Sequence, residues 1–276
     1  MFGVAVRDRA IALSPCVHIT LPEVTKGDHV IPTREQVHTL AATLAARYRA
    51  LVYVGAGCGL RHGEALGLEL EHVDFLRREV DVVQQLTVTS GRSPFLAPVK
   101  TKTLRRVVEL PKVAADALAR HIELFPPVGV EVEDETDRRA TTTRSARLLF
   151  TNAKGRQIHR ASWSHEWTPA ARAAGLPLHT GYHSLRHYFA TVLIAGGASV
   201  KTVQLGLGHS TPMIMLNTYV GYWPDVVDRT RTLLDDALGA RPKSRRRRDD
   251  CAQDVPGGCG FSSDAAQSVR GPPDHL

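Results

Sequence analysis

Along most of this 276-residue chain the apolar side chains recur with the spacing of a helix, and only one region switches to the alternation of a strand. That switch limits the fold more than any other feature. Val80, Val82 and Leu86 alternate with Asp81 and Gln85, and Arg105-Arg-Val-Val-Glu-Leu110 supplies a second run to pair with them. A polar, lysine-bearing turn region separates the two. The pattern predicts an α+β domain, mainly helical, with a small antiparallel β-sheet containing residues near 80–86 and 105–110.

Helix signals stand on both sides of that sheet. Thr33-Arg-Glu-Gln36 has the form of a capping box and opens a helix to about Arg47, and the apolar run from Tyr48 to Cys58 predicts a buried helix. Leu60, Leu66 and Leu70 keep helical spacing, broken by Gly63 and Gly67. Pro111 suits a first-turn position and starts a helix through about Leu124. Residues 126–147, rich in Pro, Gly, Thr and charge, read as a surface insertion with little order, and Leu148 to Thr151 as a short strand. From Ala161 to Leu238 the chain reads as helices separated by Gly175, Gly196-Gly197, Gly208 and Gly221. At the start, Val4 to Leu13 reads as the end of a helix, stopped by Ser14-Pro15.

Lys and Arg outnumber Asp and Glu by 35 to 28, a net charge of +7. Residues 241–276 hold seven Lys or Arg against five Asp, so the rest of the chain keeps +5 and is itself basic. A basic body suits a polyanionic partner, because neutralising phosphates releases condensed counterions. The run Arg245 to Arg248 gives nonspecific phosphate attraction and no chemistry. The four cysteines, Cys16, Cys58, Cys251 and Cys259, lack paired metal spacing, and Cys58 reads as a small core residue. No apolar stretch approaches the ~20 residues that span a bilayer. A reduced, intracellular protein is expected.

The chemistry concentrates between His183 and Tyr219, in HSLRHYFATVLIAGGASVKTVQLGLGHSTPMIMLNTY. His183 and Arg186 are three apart and share a helix face, with Ala190, Leu193 and Ile194 holding the helix in the core. A glycine break, a short amphipathic helix and the turn Gly208-His209 follow, and Tyr219 comes ten positions after His209. Cutting a phosphodiester without a metal needs these residue types. Guanidinium forks bind nonbridging oxygens, His or Lys moves protons, and a Tyr hydroxyl forms a covalent phosphoester. Each residue also has a plainer reading. Arg61 and Glu64 suit a surface ion pair, the lysines a solvated turn, His209 a helix end and Tyr219 a core. His183 and His187 are spaced for a metal, yet no H-E-x-x-H or Cys cluster completes a site.

Taken together and in order, these residues resemble the tyrosine recombinase, or phage integrase, family. Its first Arg corresponds to Arg61 in CGLRHGEALGL, accompanied by Glu64. Its hairpin Lys falls in PVKTKTLRRVVELP at Lys100, with Lys102 the alternative. Its H-x-x-R pair corresponds to His183 and Arg186, its G-H histidine to His209, and its nucleophile to Tyr219. Gly221 stands where the family often has a His. The resemblance covers roughly residues 30–240.

The resemblance implies that Arg61 and Arg186 clamp the scissile phosphate and Lys100 protonates the leaving 5′ oxygen. His183 would assist proton transfer at the tyrosine, His209 would bond a nonbridging oxygen, and Tyr219 would become joined to the 3′ phosphate. It further implies the tyrosine-recombinase catalytic fold, site-specific recombination of double-stranded DNA without metal, nucleotide or other cofactor, and self-association as a tetramer on DNA. A cytoplasmic, nucleoid-associated protein is expected. The expected layout is a remnant of an N-terminal core-binding domain at 1–15, a linker at 16–32, the catalytic domain at 33–240 and a disordered basic tail at 241–276. The competing expectation is a DNA-binding module that keeps the fold but does not recombine, for want of the N-terminal domain.

Overall fold

A computed structural model describes residues 2–17, 19, 29–89, 91–99, 105–137, 139–209, 213, 218–219 and 238. The chain divides into two units, Met1–Val226 and Val227–Leu276, and every helix and strand named here lies in the first. The expected tail at 241–276 and most of the expected linker lie outside the described residues.

After α1 (Phe2–Arg7), which ends sooner than its apolar run suggests, come α2 (Arg34–Thr43) and α3 (Ala46–Cys58). The capping box is present: Gln36 N–H donates to Thr33 Oγ1 at 3.2 Å and Thr33 N–H donates to Gln36 Oε1 at 2.9 Å. The first helix stops short of Arg47, because Leu44 is extended and α3 starts afresh at Ala46. α3 is the central helix, with Leu51, Val52, Val54 and Cys58 fully buried and α5 (Lys112–Leu124) and α7 (His183–Ala195) packed against it. Each leucine buried to this degree contributes roughly 1.5–3 kcal/mol. α4 (His62–Leu66) is a single short helix, and a 3-10 turn at Leu70–His72 replaces the rest of the helix predicted to Leu70.

The sheet region is more divided than its alternation suggests. β1 (Val73–Asp74), β2 (Glu79–Val82) and β5 (Arg106–Glu109) form one antiparallel sheet in the order β1-β2-β5. The register Val80↔Val108 joins the two predicted runs. β3 (Gln84–Thr87) belongs instead to a second sheet with β4 (Phe95–Pro98), β6 (Val130–Asp134) and β7 (Thr142–Ala146), and its β4–β6 pairing is parallel. Among the described residues, the single antiparallel sheet is thus corrected to two sheets with one parallel pairing. Val80, Val82, Gln84 and Leu86 are all buried, so the period of two runs unbroken through the change of partner at Val83.

A second correction concerns residues 126–147, which hold a regular hairpin rather than a loosely ordered insertion. β6 and β7 pair from Val130↔Ala146 to Asp134↔Thr142. Several of its charges are paired: Arg144 binds Glu69 at 2.6 Å and also Asp134, and Arg92 binds Glu133 at 2.6 Å and Glu135 at 2.7 Å. Leu148 to Thr151 is not a strand. It contributes only the isolated bridge Glu69↔Leu148.

The helical half follows with α6 (Arg160–Ala173), α7 and α8 (Val200–Leu207). A small apolar cluster of Ala190, Ile194, Val203, Leu207 and Tyr219 joins α7 to α8 and takes in the tyrosine. Among the described residues no helix is long and apolar enough to cross a membrane.

Candidate active site

Arg61 owes its position to the turn before it. Gly59 ends α3 in the left-handed region at φ +63°, and a Cβ there would lie 2.4 Å from the Phe189 ring. Glycine alone meets both demands. Arg61 then caps α4: its backbone N–H donates to Glu64 Oε2 at 2.9 Å and its Nη1 to Oε1 at 2.8 Å. Arg106, on β5, reaches the same carboxylate, donating from Nη2 to Oε2 at 2.9 Å and from Nη1 to Oε1 at 3.2 Å, and from Nε to the Gly206 carbonyl at 2.9 Å. Burial acts to raise the Glu64 pKa, but Arg106 and Arg61 outweigh it and hold the carboxyl at about 2.

On α7, Arg186 and His187 follow His183 by three and four positions, and Ala190 and Ile194 continue the same side. Arg186 is 1% exposed. Its Nη1 donates to the Gly59 carbonyl at 2.6 Å and its Nη2 to the Leu207 carbonyl, so one guanidinium ties the turn after α3 to the end of α8. A guanidinium has donors beyond these two. Burial first, then Arg61, pushes its pKa down to about 9, which leaves it charged at neutral pH.

α8 begins at Ser199, whose Oγ accepts from Thr202 N–H at 3.0 Å, and ends at Gly208 in the left-handed region, φ +63°. The turn delivers His209, held on both sides by Gln204: the His209 N–H donates to the Gln204 carbonyl at 3.1 Å, and Gln204 Nε2 donates to the His209 carbonyl at 3.0 Å. His209 Nδ1 is buried and has no hydrogen-bond partner among the described residues.

Tyr219 is 1% exposed, and its hydroxyl shares a hydrogen bond of 2.6 Å with His187 Nδ1. His187 is itself enclosed. His29 stacks on its ring at 4.4 Å between centroids and His183 meets it edge-on at 4.8 Å.

The structure thus links Arg61, His183, Arg186 and His209 electrostatically, and Tyr219 to them through Arg186, although they come from separate segments. Partial desolvation, then Arg186 and Arg61, pushes both the exposed His183 and the half-buried His209 down to about 4, and the Tyr219 phenol acts on Arg186. His187 is pushed to about 3 by burial, then by His183 and His29. All three imidazoles are therefore neutral at pH 7. Lys100, like its alternative Lys102, lies outside the described residues.

Two residues of the cluster are not in the motif set. Arg106 is one, and its signal was faint: a basic residue on the strand facing a glutamate too buried for one surface arginine to neutralise. His187 is the other. It lies four residues after His183, a spacing considered only for metal binding, and it rather than His183 touches the Tyr219 hydroxyl. Among the described residues, no three of His, Cys, Asp and Glu group to hold a metal ion. Fixed guanidinium forks beside neutral imidazoles and a phenol are suited to a tetrahedral oxyanion and an acceptor of a new ester bond.

Comparison with known proteins gives the same direction. The profile of the phage integrase family matches residues 33–222. Tyrosine recombinase XerD of Pseudomonas putida is 26% identical over 215 residues, covering 76% of this chain and 63% of XerD. XerD of Pseudomonas aeruginosa is 29% identical over 210 residues, covering 74% and 61%. The chain spans about three-fifths of the length of these curated relatives. In fold it is similar to the Tn1549 transposon integrase, solved in complex with transposon right end DNA, at a TM-score of 0.66 and 21% identity over 86% of this chain and 75% of that one.

Proposed function

This chain belongs to the phage integrase family, and from that premise we propose that it is the catalytic part of a site-specific DNA recombinase with Tyr219 as its nucleophile. The observation that carries the reading is the Tyr219 phenol beside Arg186 in a cluster where, among the described residues, three cations, Arg61, Arg106 and Arg186, face one carboxylate, Glu64.

In the proposed reaction the Tyr219 oxygen bonds to phosphorus as the bond to the 5′ oxygen breaks. The phenol's proton passes to solvent, with His183 assisting the transfer, and the leaving oxygen gains a proton from Lys100. The 3′-phosphotyrosine keeps the energy of the phosphodiester, so attack by a 5′ hydroxyl reverses the step and rejoins strands without nucleotide. Arg61 and Arg186 stabilise charge on the nonbridging oxygens, each fixed beforehand by contacts that need no rearrangement as charge develops. His209 donates to the same phosphate, and His183 assists at the tyrosine. Residues 33–240 form the catalytic domain in this reading, which acts on double-stranded DNA as a self-associating complex in the cytoplasm.

The test uses a pool of short nicked duplexes with a randomised core. The chain, without added metal, is expected to form an adduct stable in SDS, and the captured duplexes report the site. Tyr219→Phe should abolish the adduct and keep DNA affinity. DNA binding with no adduct from any duplex would favour the competing reading, a DNA-binding module with this fold.

A further inference from the structure

We propose that His187 is a positioning residue for the Tyr219 nucleophile, accepting the phenol's hydrogen bond at Nδ1 and holding the hydroxyl on the Arg186 side of the site. The inference rests on Tyr219 being the nucleophile and adds a residue to which the motif assigns no part.

Three features carry it. The contact is short, 2.6 Å, and buried, so its geometry is not averaged away by water. The imidazole cannot easily turn out of place, because His29 lies against its face and His183 meets it edge-on. And the backbone below it is pinned by Thr191, whose Oγ1 donates to the His187 carbonyl at 3.0 Å. A phenol has two side-chain torsions to fix, and the small cluster of Ala190, Ile194, Val203 and Leu207 packs with its apolar ring. The hydroxyl needs a polar partner to set its direction, and His187 supplies one. A neutral imidazole whose pKa lies near 3 is too weak a base to take the phenol's proton at neutral pH, so its role is to aim the hydroxyl rather than to deprotonate it.

The role differs from that of an ordinary core histidine in what replaces it. Asn places an amide where Nδ1 stands, whereas Leu fills similar space with no polar atom. On a duplex recovered from the randomised pool, His187→Leu should slow adduct formation at saturating DNA by about tenfold or more while DNA affinity stays within about twofold. His187→Asn should recover most of that rate. Equal rates in His187→Leu and wild type, or an equal loss in the Asn and Leu variants, overturn the role. The contact itself is read in the free protein by NMR of isotope-labelled histidine, which needs no substrate and no soluble Leu variant. Tyr219→Phe should shift the His187 Nδ1 resonance, and an unmoved resonance overturns the contact. Wild type that forms no adduct removes the reaction and this role with it, a result distinct from wild-type activity with indifferent His187 variants.

Discussion

Replacing Glu64 by Gln should cost the domain about 3 kcal/mol and should do so without altering its shape. Glu64 is 3% exposed and is the carboxylate shared by Arg61, at 2.8 Å, and Arg106, at 2.9 Å. Removing one member of a buried ion pair leaves the other charge uncompensated, which typically costs ~3–5 kcal/mol. The carboxyl's fall from its ordinary 4.5 to about 2 corresponds to ~3 kcal/mol by linkage, a consistent magnitude. In a domain of this size that is a drop in Tm of roughly 10 °C. The sign with pH follows from the depressed value. The unfolded carboxyl binds its proton near 4.5 and the folded one only near 2, so the contribution is complete above 4.5 and is lost as the pH falls towards 2. Urea unfolding followed by circular dichroism should therefore show a constant gap between wild type and Glu64→Gln from pH 8 to 5, narrowing below 4.5. A gap under ~1 kcal/mol at pH 7, or one that widens in acid, refutes the pairing argument.

Three other perturbations have defined outcomes. His62 is half-buried against Trp163 and Tyr182, its Nε2 is buried with no hydrogen-bond partner among the described residues, and desolvation pushes its pKa to about 4. Wild type should thus lose up to ~3 kcal/mol as pH falls from 6.5 to 4, and the urea midpoint of His62→Phe should gain on it between pH 7.5 and 5. Arg186→Lys cannot serve both the Gly59 and Leu207 carbonyls with one fork, so calorimetry should show a loss of ~1–3 kcal/mol and adduct formation should slow by ~10²–10³. Affinity for duplex DNA, measured by anisotropy, should fall steeply and linearly in log–log salt titrations, and removing residues 241–276 should weaken nonspecific binding modestly and leave cleavage intact.

What could be read from the sequence was whatever local chemistry writes into a short window. The Thr33 and Gln36 capping box and Pro111 placed helix starts to within a residue, because a cap is made by neighbours in the chain. The pairing of β2 with β5 was legible because both strands alternate. The β6–β7 hairpin was not, although Val130 and Val132 alternate with Glu131 and Glu133. The density of charge in 126–147 counts as disorder only while its partners are unknown, and Arg92, Glu69 and Arg144 lie too far along the chain or across the hairpin to be assigned as partners from a window. The same division runs through the candidate site. Motif spacing brought out Arg61, His183, Arg186, His209 and Tyr219, which the fold gathers. Arg106 and His187 escaped, because each is defined by a contact across the fold, with Glu64 and Gly206 in one case and Tyr219 in the other.

The charge inventory of the cluster gives a reason for its histidines to stay uncharged. Arg61, Arg106 and Arg186 bring three positive charges to the described part of the cluster and Glu64 returns one negative charge. Arg61 and Arg106 each weaken the hold of Arg186 on its proton, which is the signature of cations pressed together. Protonated imidazoles would add to that repulsion, and local desolvation together with the neighbouring arginines keeps His183, His187 and His209 neutral instead. They remain able to donate or accept hydrogen bonds while adding no charge. The surplus therefore resides in guanidinium groups, which cannot relieve it by losing a proton at neutral pH. An oxyanion entering the cluster would relieve it, and would gain most as its own negative charge grows. That is the differential a phosphoryl transfer requires, with the transition state held more tightly than the bound ester. In the proposed recombinase, the strain of assembling three arginines around one glutamate is thus offset by the phosphate they are arranged to meet.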